Sequence, residues 1–238
     1  MIDIHNHTLP GIDDGSRNLE ESIDIFKEMS IFGITSVILT PHYIHKSDYN
    51  RTKKENTKLL KELKNSLKQN KININVYLGN EIFVDNNIYD VVDGGYISTM
   101  NDSKYVLLEF PMNHSVDARK IIYNLNNMGY KVILAHPERY CYYKFKDILE
   151  LVQMGYLLQG NIPSFLGLYG FKCKFMFKRL LRHHAYTFLS TDMHSINFFD
   201  YGNINDIEKK LNKLVNYEYI HELLEENALK VIKNKDID

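Results

Sequence analysis

Short runs of β-branched and apolar residues alternate along the chain with longer stretches whose apolar positions recur every three or four residues. The short runs are 2–7, 36–40, 73–78, 105–109, 132–136, 156–159 and 186–190, each read as a strand. Between them lie helical periodicities. Residues 19–32 place Ile23, Phe26 and Ile31 near one face, with Ser16 or Asn18 as the cap. Residues 52–69 are strongly charged, with Leu59, Leu60, Leu63 and Leu67 as the apolar stripe. Residues 116–128 run into Gly129 and 145–154 into Gly155, where helices usually place a C-terminal glycine. Further helices are predicted over 164–184 and 204–213, with a helical tail to about Lys233. The irregular stretch 85–101 (DNNIYDVVDGGYISTMN) reads as a loop with one short helix.

Regular strand–helix alternation implies an α/β fold with a mostly parallel sheet. Seven repeats favour a closed or nearly closed (β/α) barrel over an open doubly wound sheet. A chain of 238 residues fits one such domain, so 1–238 is expected to be a single unit.

Composition narrows the setting. The chain is 44% hydrophobic and 25% charged, ordinary for a protein with a real core. A formal net charge of −1 supplies no global field for nucleic acid, so any phosphate binding must be local. The two cysteines, Cys141 and Cys173, are far apart and belong to no CxxC pair. A disulfide framework is not expected, and a reducing, cytoplasmic setting fits best. No apolar run approaches the ~20 residues needed to span a bilayer, so no membrane insertion is expected.

The chemistry sits at the strand ends. His5, His7 and the pair Asp13–Asp14 follow the first strand, and His42 follows the second. Glu81 follows the third, Glu109 ends the fourth and His136 the fifth, and Asp192 and His194 follow the seventh. In a barrel all these ends converge on one face, where active sites form. Residues two apart on a strand share a face, so His5 and His7 should act together, as should Asp192 and His194 if the last strand continues. Imidazoles with carboxylates suit manganese, iron or zinc. Nine candidates (His5, His7, Asp14, His42, Glu81, Glu109, His136, Asp192 and His194) exceed what one ion needs and suggest two or three ions, with Glu81 as the bridge. A lone histidine at a strand end more often packs or caps; the ordered set on one face is what argues for metal. His45 and His114 are expected on loop surface, His183 and His184 at a helix end, and His221 on a solvated helix face. The 140–143 cluster (YCYY) is expected to be pocket wall or packing, and Cys141 and Cys173 plain buried thiols.

The motifs also carry a family likeness. HNH at 5–7, TPH at 40–42, GNE at 79–81, LEF at 108–110, AHPERY at 135–140 and STDMH at 190–194 resemble the polymerase-and-histidinol-phosphatase (PHP) superfamily. Within it, LPGIDDGS at 9–16, LTPH at 39–42, MNDSKYVLLEF at 100–110 and AHPERY resemble the manganese-dependent protein-tyrosine phosphatases of bacterial capsule and exopolysaccharide loci, the CpsB type. The likeness runs over essentially the whole chain in order. It implies a distorted (β/α)7 barrel, a TIM-like PHP fold, with three Mn2+ ions, Fe or Zn being the other metals such ligands accept. Carried onto this sequence, His5, His7, Glu81 and Asp192 would hold the first ion. Glu81, Glu109 and His136 would hold the second, and Asp14, His42 and His194 the third. Arg139 matches the family arginine that helps bind phosphate. The implied activity is phosphotyrosine hydrolysis on the tyrosine-rich tail of a capsule-assembly kinase. A second arginine usual a few residues after the DMH triplet is absent; 195–199 reads SINFF. Arg17, Lys46 or Arg51 are the candidates to compensate, and Phe198–Phe199 are expected to pack at core or rim.

The expected reaction is in-line attack of a metal-bound hydroxide on phosphorus, with Arg139 clamping the phosphoryl oxygens. His42 or His194 is the candidate to pass a proton to the departing phenolate. No covalent intermediate is required, so neither cysteine need react. The rival readings are a phosphoesterase for small esters such as histidinol phosphate, and a non-catalytic binder of phosphotyrosine.

Overall fold

The computed structural model describes residues 1–237. In chain order it begins with β1 (Ile2–Asp3), α1 (Leu19–Phe32), β2 (Ser36–Leu39), β3 (His42–Tyr43), α2 (Lys53–Gln69), β4 (Asn75–Leu78) and β5 (Glu81–Phe83). Then come α3 (Ile88–Asp93), β6 (Tyr105–Glu109), α4 (Ala118–Asn127), β7 (Lys131–Ala135), α5 (Phe145–Gln153) and β8 (Leu157–Asn161). The last third holds α6 (Ile162–Leu166), α7 (Gly170–Arg182), β9 (Phe188–Ser190), α8 (Ile204–Leu211), α9 (Tyr217–His221) and α10 (Asn227–Ile232), the last two joined by a π-helical turn.

Every strand pair is parallel. One ladder runs β1-β2-β4 and the other β3-β5-β6-β7-β8-β9. β2 and β3 are two halves of one course interrupted at Thr40–Pro41, and β4 and β5 are two halves of another interrupted at Gly79–Asn80. Proline cannot donate to a ladder, which accounts for the first break. Joining the halves gives seven strand positions, the count read from the sequence. The first and last courses meet at a parallel bridge between Asn6 and Met193. There His7 N–H donates to the Met193 carbonyl at 3.0 Å, and Asp192 N–H donates to that of His5 at 2.9 Å. The arrangement is a distorted seven-course (β/α) structure whose ends are stitched beside the ligand residues.

The sequence missed the strand character of β3 and β5, which carry His42 and Glu81 just past each interruption. The first strand is shorter than expected, two residues in place of 2–7, because the chain leaves the ladder to bring His5 and His7 inward. The helix expected over 164–184 is split. α6 ends at Gly167 (φ 100°) and α7 starts at Gly170 (φ 85°), both in the left-handed region that favours glycine.

Helical faces follow the pattern, with one exception. Leu63 and Leu67 of α2 are buried and Leu59 and Leu60 partly so. In α1, Ile23 and Phe26 are buried, but Ile31 is 77% exposed and the inward face is completed by Ile25, Met29 and Phe32. At about 100° per residue Ile31 lies about 160° round the helix from Met29 and about 140° from Phe26, on the far side from both. Asn18 is the α1 cap, accepting from Glu21 N–H at 2.9 Å. Cys141 is exposed and Cys173 half-buried, so the expectation of two buried thiols fails. Cys141 follows Tyr140 in a turn, where the buried tyrosine, not the thiol, faces inward.

Candidate metal centre

Nine predicted ligands lie at the ends of the strand courses, and the structure brings them together. His5 Nε2 is 3.1 Å from His7 Nε2, 3.2 Å from Glu81 Oε1 and 3.3 Å from Asp192 Oδ1. His7 Nε2 is 3.4 Å from Glu81 Oε2 and 3.4 Å from Asp192 Oδ1. All four side chains are buried. A second group joins His42 Nδ1 to Glu81 Oε2 at 3.0 Å and to Glu109 Oε2 at 3.9 Å. His136 Nε2 approaches the same carboxylates, Glu81 Oε1 at 3.1 Å and Glu109 Oε1 at 3.7 Å. A third group gathers His7 with Asp14 Oδ1, which is 3.5 Å from His42 Nε2 and 3.4 Å from His194 Nε2.

These atoms fit divalent cations on their own chemistry. Bonds of about 2.1 Å place neighbouring donors about 3.0–3.4 Å apart around a four- to six-coordinate ion. The His5, His7, Glu81 and Asp192 contacts fall in that interval. The Nδ1 atoms of His5 and His7 already face acceptors, Gln159 Oε1 at 2.8 Å and Asp13 Oδ2 at 2.9 Å. Each Nδ1 is therefore the N–H, inferred from that network, and each Nε2 turns a lone pair toward the other. Only a shared cation or added protons relieves that opposition. His42 Nδ1 is buried 3.0 Å from Glu81 Oε2 yet makes no hydrogen bond.

Without cations, protons fill the role. Burial would lower the His5 imidazole, but the Glu81 and Asp192 carboxylates outweigh it and raise it to about 9. His7 is raised well above its ordinary value: burial opposes this, and hydrogen bonds to Asp13, Asp192 and Glu81 prevail. Glu109 is pushed up to about 8 by burial and then by the charge of Glu81. Glu81 and Asp192 resist the upward push of burial because His5 and the surrounding imidazoles hold them down. Asp14, hydrogen-bonded to His194, falls to about 2. His136 falls to about 4, from burial and then the nearby Arg139.

The local backbone explains how the chain aims these groups. The 11–16 loop folds back on His7: Ser16 N–H donates to the His7 carbonyl at 3.0 Å. A Cβ on Gly15 would sit 1.8 Å from that carbonyl oxygen, so only glycine fits. His136 (φ 32°) and Asp192 (φ 49°) are left-handed although neither is glycine, a strain typical of functional sites. Asp192 and His194 therefore do not share a continued strand, as the sequence suggested; the left-handed Asp192 turns the chain.

Several supporting residues were missed. Asp13 accepts from His7 Nδ1 and from the His42 backbone N–H at 3.1 Å, so it orients one imidazole and anchors the backbone that carries another, while its neighbour Asp14 faces the cluster. Gln159 and Asn161 sit two apart on β8. The first accepts from His5, and the second donates to Asp192 Oδ2 at 2.6 Å. Their shared face was legible from the two-residue period of a strand. Buried Asp3 accepts from Thr191 Oγ1 at 2.6 Å and Asn6 Nδ2 at 3.0 Å, tying the first strand end to the last. Glu138 accepts from Asn161 N–H at 2.9 Å and Tyr186 O–H at 3.0 Å, anchoring the turn that carries Arg139. The Arg139 Nη1 donates to Asp192 Oδ2 at 2.9 Å, and its guanidinium stacks 4.3 Å from the Tyr169 ring. Arg17 pairs with Glu21 instead of reaching inward. Tyr140 is buried packing, its hydroxyl accepting from Phe110 N–H at 2.9 Å, and Phe198 packs edge-on against Phe32.

Two clefts flank this region. The larger, about 550 Å³, contains none of the nine residues. The smaller, about 240 Å³, is lined by Asp192 and His194.

The family described as capsular polysaccharide synthesis, CpsB/CapC, matches residues 1–233. The chain belongs to the CpsB/CapC family. Among similar proteins, the putative tyrosine-protein phosphatase CapC of Staphylococcus aureus is 35% identical over 199 residues, 82% of this chain and 78% of the relative. The tyrosine-protein phosphatase YwqE of Bacillus subtilis (strain 168) is 30% identical over 246 residues, 100% of this chain and 93% of the relative. A chain from the crystal structures of YwqE from Bacillus subtilis and CpsB from Streptococcus pneumoniae, described as metal-dependent tyrosine phosphatases, matches with a TM-score of 0.87 at 28% identity. That match covers 100% of this chain and 96% of the other. Among the described residues, no helix is long and apolar enough to cross a membrane.

Proposed function

We propose that this CpsB/CapC chain, acting over 1–238 as one domain, is a metal-dependent phosphatase that hydrolyses phosphotyrosine on a protein. The observation that carries the reading is the convergence of His5 Nε2, His7 Nε2, Glu81 and Asp192 within 3.1–3.4 Å. A neutral imidazole offers one lone pair, which decides how the shared residues divide. His7 Nδ1 is occupied by Asp13, so His7 serves the first ion with His5, Glu81 and Asp192. His136 supplies a nitrogen to Glu81 and Glu109, which frees His42 to join Asp14 and His194. Three Mn2+ ions fit this division; Fe and Zn accept the same donors.

Bound divalent cations supply Lewis acidity, which lowers the pKa of a coordinated water and neutralises phosphoryl oxygens. The chain's own groups do the rest. Arg139 spends one of its five N–H donors on Asp192, and the others are available to phosphoryl oxygens. The Asp192 pair and the Tyr169 ring fix the guanidinium plane beforehand, so little ordering is needed when substrate arrives. The phenol of tyrosine has a free pKa near 10, so its phenolate needs little acid help to depart, and the role of His42 and His194 would be to hold the third ion beside it. Asp14, 3.4–3.5 Å from both, holds them at the edge of the cluster. Neither thiol belongs to the centre, consistent with hydrolysis that forms no bond to the protein.

The substrate proposed is the tyrosine-phosphorylated tail of a kinase of polysaccharide assembly, in the cytoplasm. The relatives' designation as tyrosine-protein phosphatases and the family's capsular description support it. The test sets a phosphotyrosine peptide against histidinol phosphate, with Mn2+ and with chelator. Peptide turnover that chelation abolishes is expected; faster turnover of histidinol phosphate, or none of the peptide, overturns the reading.

A further inference from the structure

The cleft of about 240 Å³ beside the centre has two unlike walls. Asp192 and His194 form one; Pro163, Leu168, Tyr169 and Phe198 contribute to the other. Pro163 and Phe198 are buried, but Leu168 and Tyr169 remain 39% and 37% exposed. Large apolar surface left open inside a cleft is what a ligand with an apolar face would cover.

The backbone holds this corner deliberately. The sequence periodicity continues as one helix through 164–184, yet the chain breaks it at Gly167 and resumes at Gly170. Leu168 and Tyr169 are the two residues between those left-handed glycines. Leu168 N–H donates to the Pro163 carbonyl at 3.0 Å, and Lys174 Nζ donates to the Leu166 carbonyl at 3.2 Å, so the corner is pinned from both sides. Tyr169 then stacks on Arg139, which pairs with Asp192. The result is one continuous strip: an aliphatic and aromatic wall, a guanidinium, then carboxylates and imidazoles.

A phosphoryl group on a flat ring matches that strip end to end. Its oxygens meet Arg139 and the centre, while its ring lies along Leu168 and Tyr169. An alkyl phosphate satisfies the polar end alone. We propose that Leu168 and Tyr169 form the ring subsite that makes this centre prefer aryl over alkyl phosphomonoesters. The proposal rests on the phosphatase reading above and names its specificity-determining residues. Tyr169 acts twice, as subsite wall and as positioning residue for Arg139. Leu168 is the cleaner probe, because the ring that backs the guanidinium belongs to Tyr169.

The experiment uses the metal-loaded full chain. Inhibition constants of phenylphosphonate and methylphosphonate are measured for the native protein and for Leu168→Ala, Tyr169→Phe and Tyr169→Ala, alongside kcat/KM for a phosphotyrosine peptide. The native protein should bind the phenyl compound more tightly. Leu168→Ala should weaken the phenyl compound by about tenfold, the low end of what a lost methylene costs in an apolar pocket because Leu168 is partly exposed, and leave the methyl compound unchanged. Its kcat/KM for the peptide should fall in parallel. Tyr169→Phe should keep both affinities, and Tyr169→Ala should weaken both, since Arg139 loses its backing. Equal binding of the two phosphonates by the native protein, or equal weakening of both by Leu168→Ala, overturns the subsite. Loss of the underlying reading looks different: the native protein would then fail to turn over the peptide at all.

Discussion

Stripping the cations from this centre should load it with protons, and restoring them should expel those protons. Burial works against charge on His5, yet the Glu81 and Asp192 carboxylates bring it to about 9 in the metal-free chain. Glu109, raised by burial and by Glu81, stands at about 8. His7 is raised well above its ordinary value by the carboxylates around it, against the effect of burial. At pH 7 His5 and Glu109 are therefore mostly protonated, and a donor that binds a cation must give its proton up. Full loading at pH 7 should release about two protons per chain. Each proton tied to one binding step steepens apparent affinity about tenfold per pH unit. Calorimetric titration of Mn2+ into chelator-treated protein, repeated in buffers of different ionisation enthalpy, counts them directly. A count of zero, or net proton uptake, would refute the electrostatic account of the centre.

The same groups set the stability of the stripped protein. The folded-state pKa of His5 lies above its ordinary 6.5, so its stabilising contribution is complete below 6.5 and lost as pH rises through about 9. That interval corresponds to roughly 3 kcal/mol at most, and Glu109 acts with the same sign between its ordinary 4.5 and about 8. The Tm of stripped protein should therefore fall from pH 6.5 to 9 while that of loaded protein does not; parallel curves would contradict this. Asp13→Ala removes the partner of His7 Nδ1 and of the His42 amide, and should weaken cation affinity by about 10- to 100-fold by calorimetry. Wild-type affinity would show that Asp13 is dispensable. Replacing Cys141 and Cys173 together with serine should leave phosphotyrosine turnover intact, and an inactive double variant would demand a covalent route.

Much of this centre was legible because its residues sit at strand ends, and strand ends converge whatever the loops do. His5, Glu81, Glu109 and His136 needed only the alternation of elements to be placed together. What the sequence could not supply was backbone that departs from regular structure. The left-handed turns at His136 and Asp192, and the interruptions at Pro41 and Gly79, re-aim side chains in ways that periodicity does not encode. The break between Gly167 and Gly170 was hidden for a related reason: the apolar spacing on both sides is helical, and only the two glycines mark the corner. Helical spacing groups Ile31 with Ile23, about 80° away, but its position opposite Phe26 and Met29 points it to solvent. Asp13 and Asp14 are indistinguishable by type; the loop that Gly15 allows to close over His7 separates an orienting carboxylate from one that faces His42 and His194. Gln159 and Asn161 lacked any distinctive chemistry of their own, and their role emerges only from the partners they reach across β8 and β9.

Anomalous diffraction from crystals grown with Mn2+ tests the central claim most directly. The account predicts three separate peaks: one among His5, His7, Glu81 and Asp192, one among Glu81, Glu109 and His136, and one among Asp14, His42 and His194. A fully loaded solution with no peak between those imidazoles and carboxylates would contradict it.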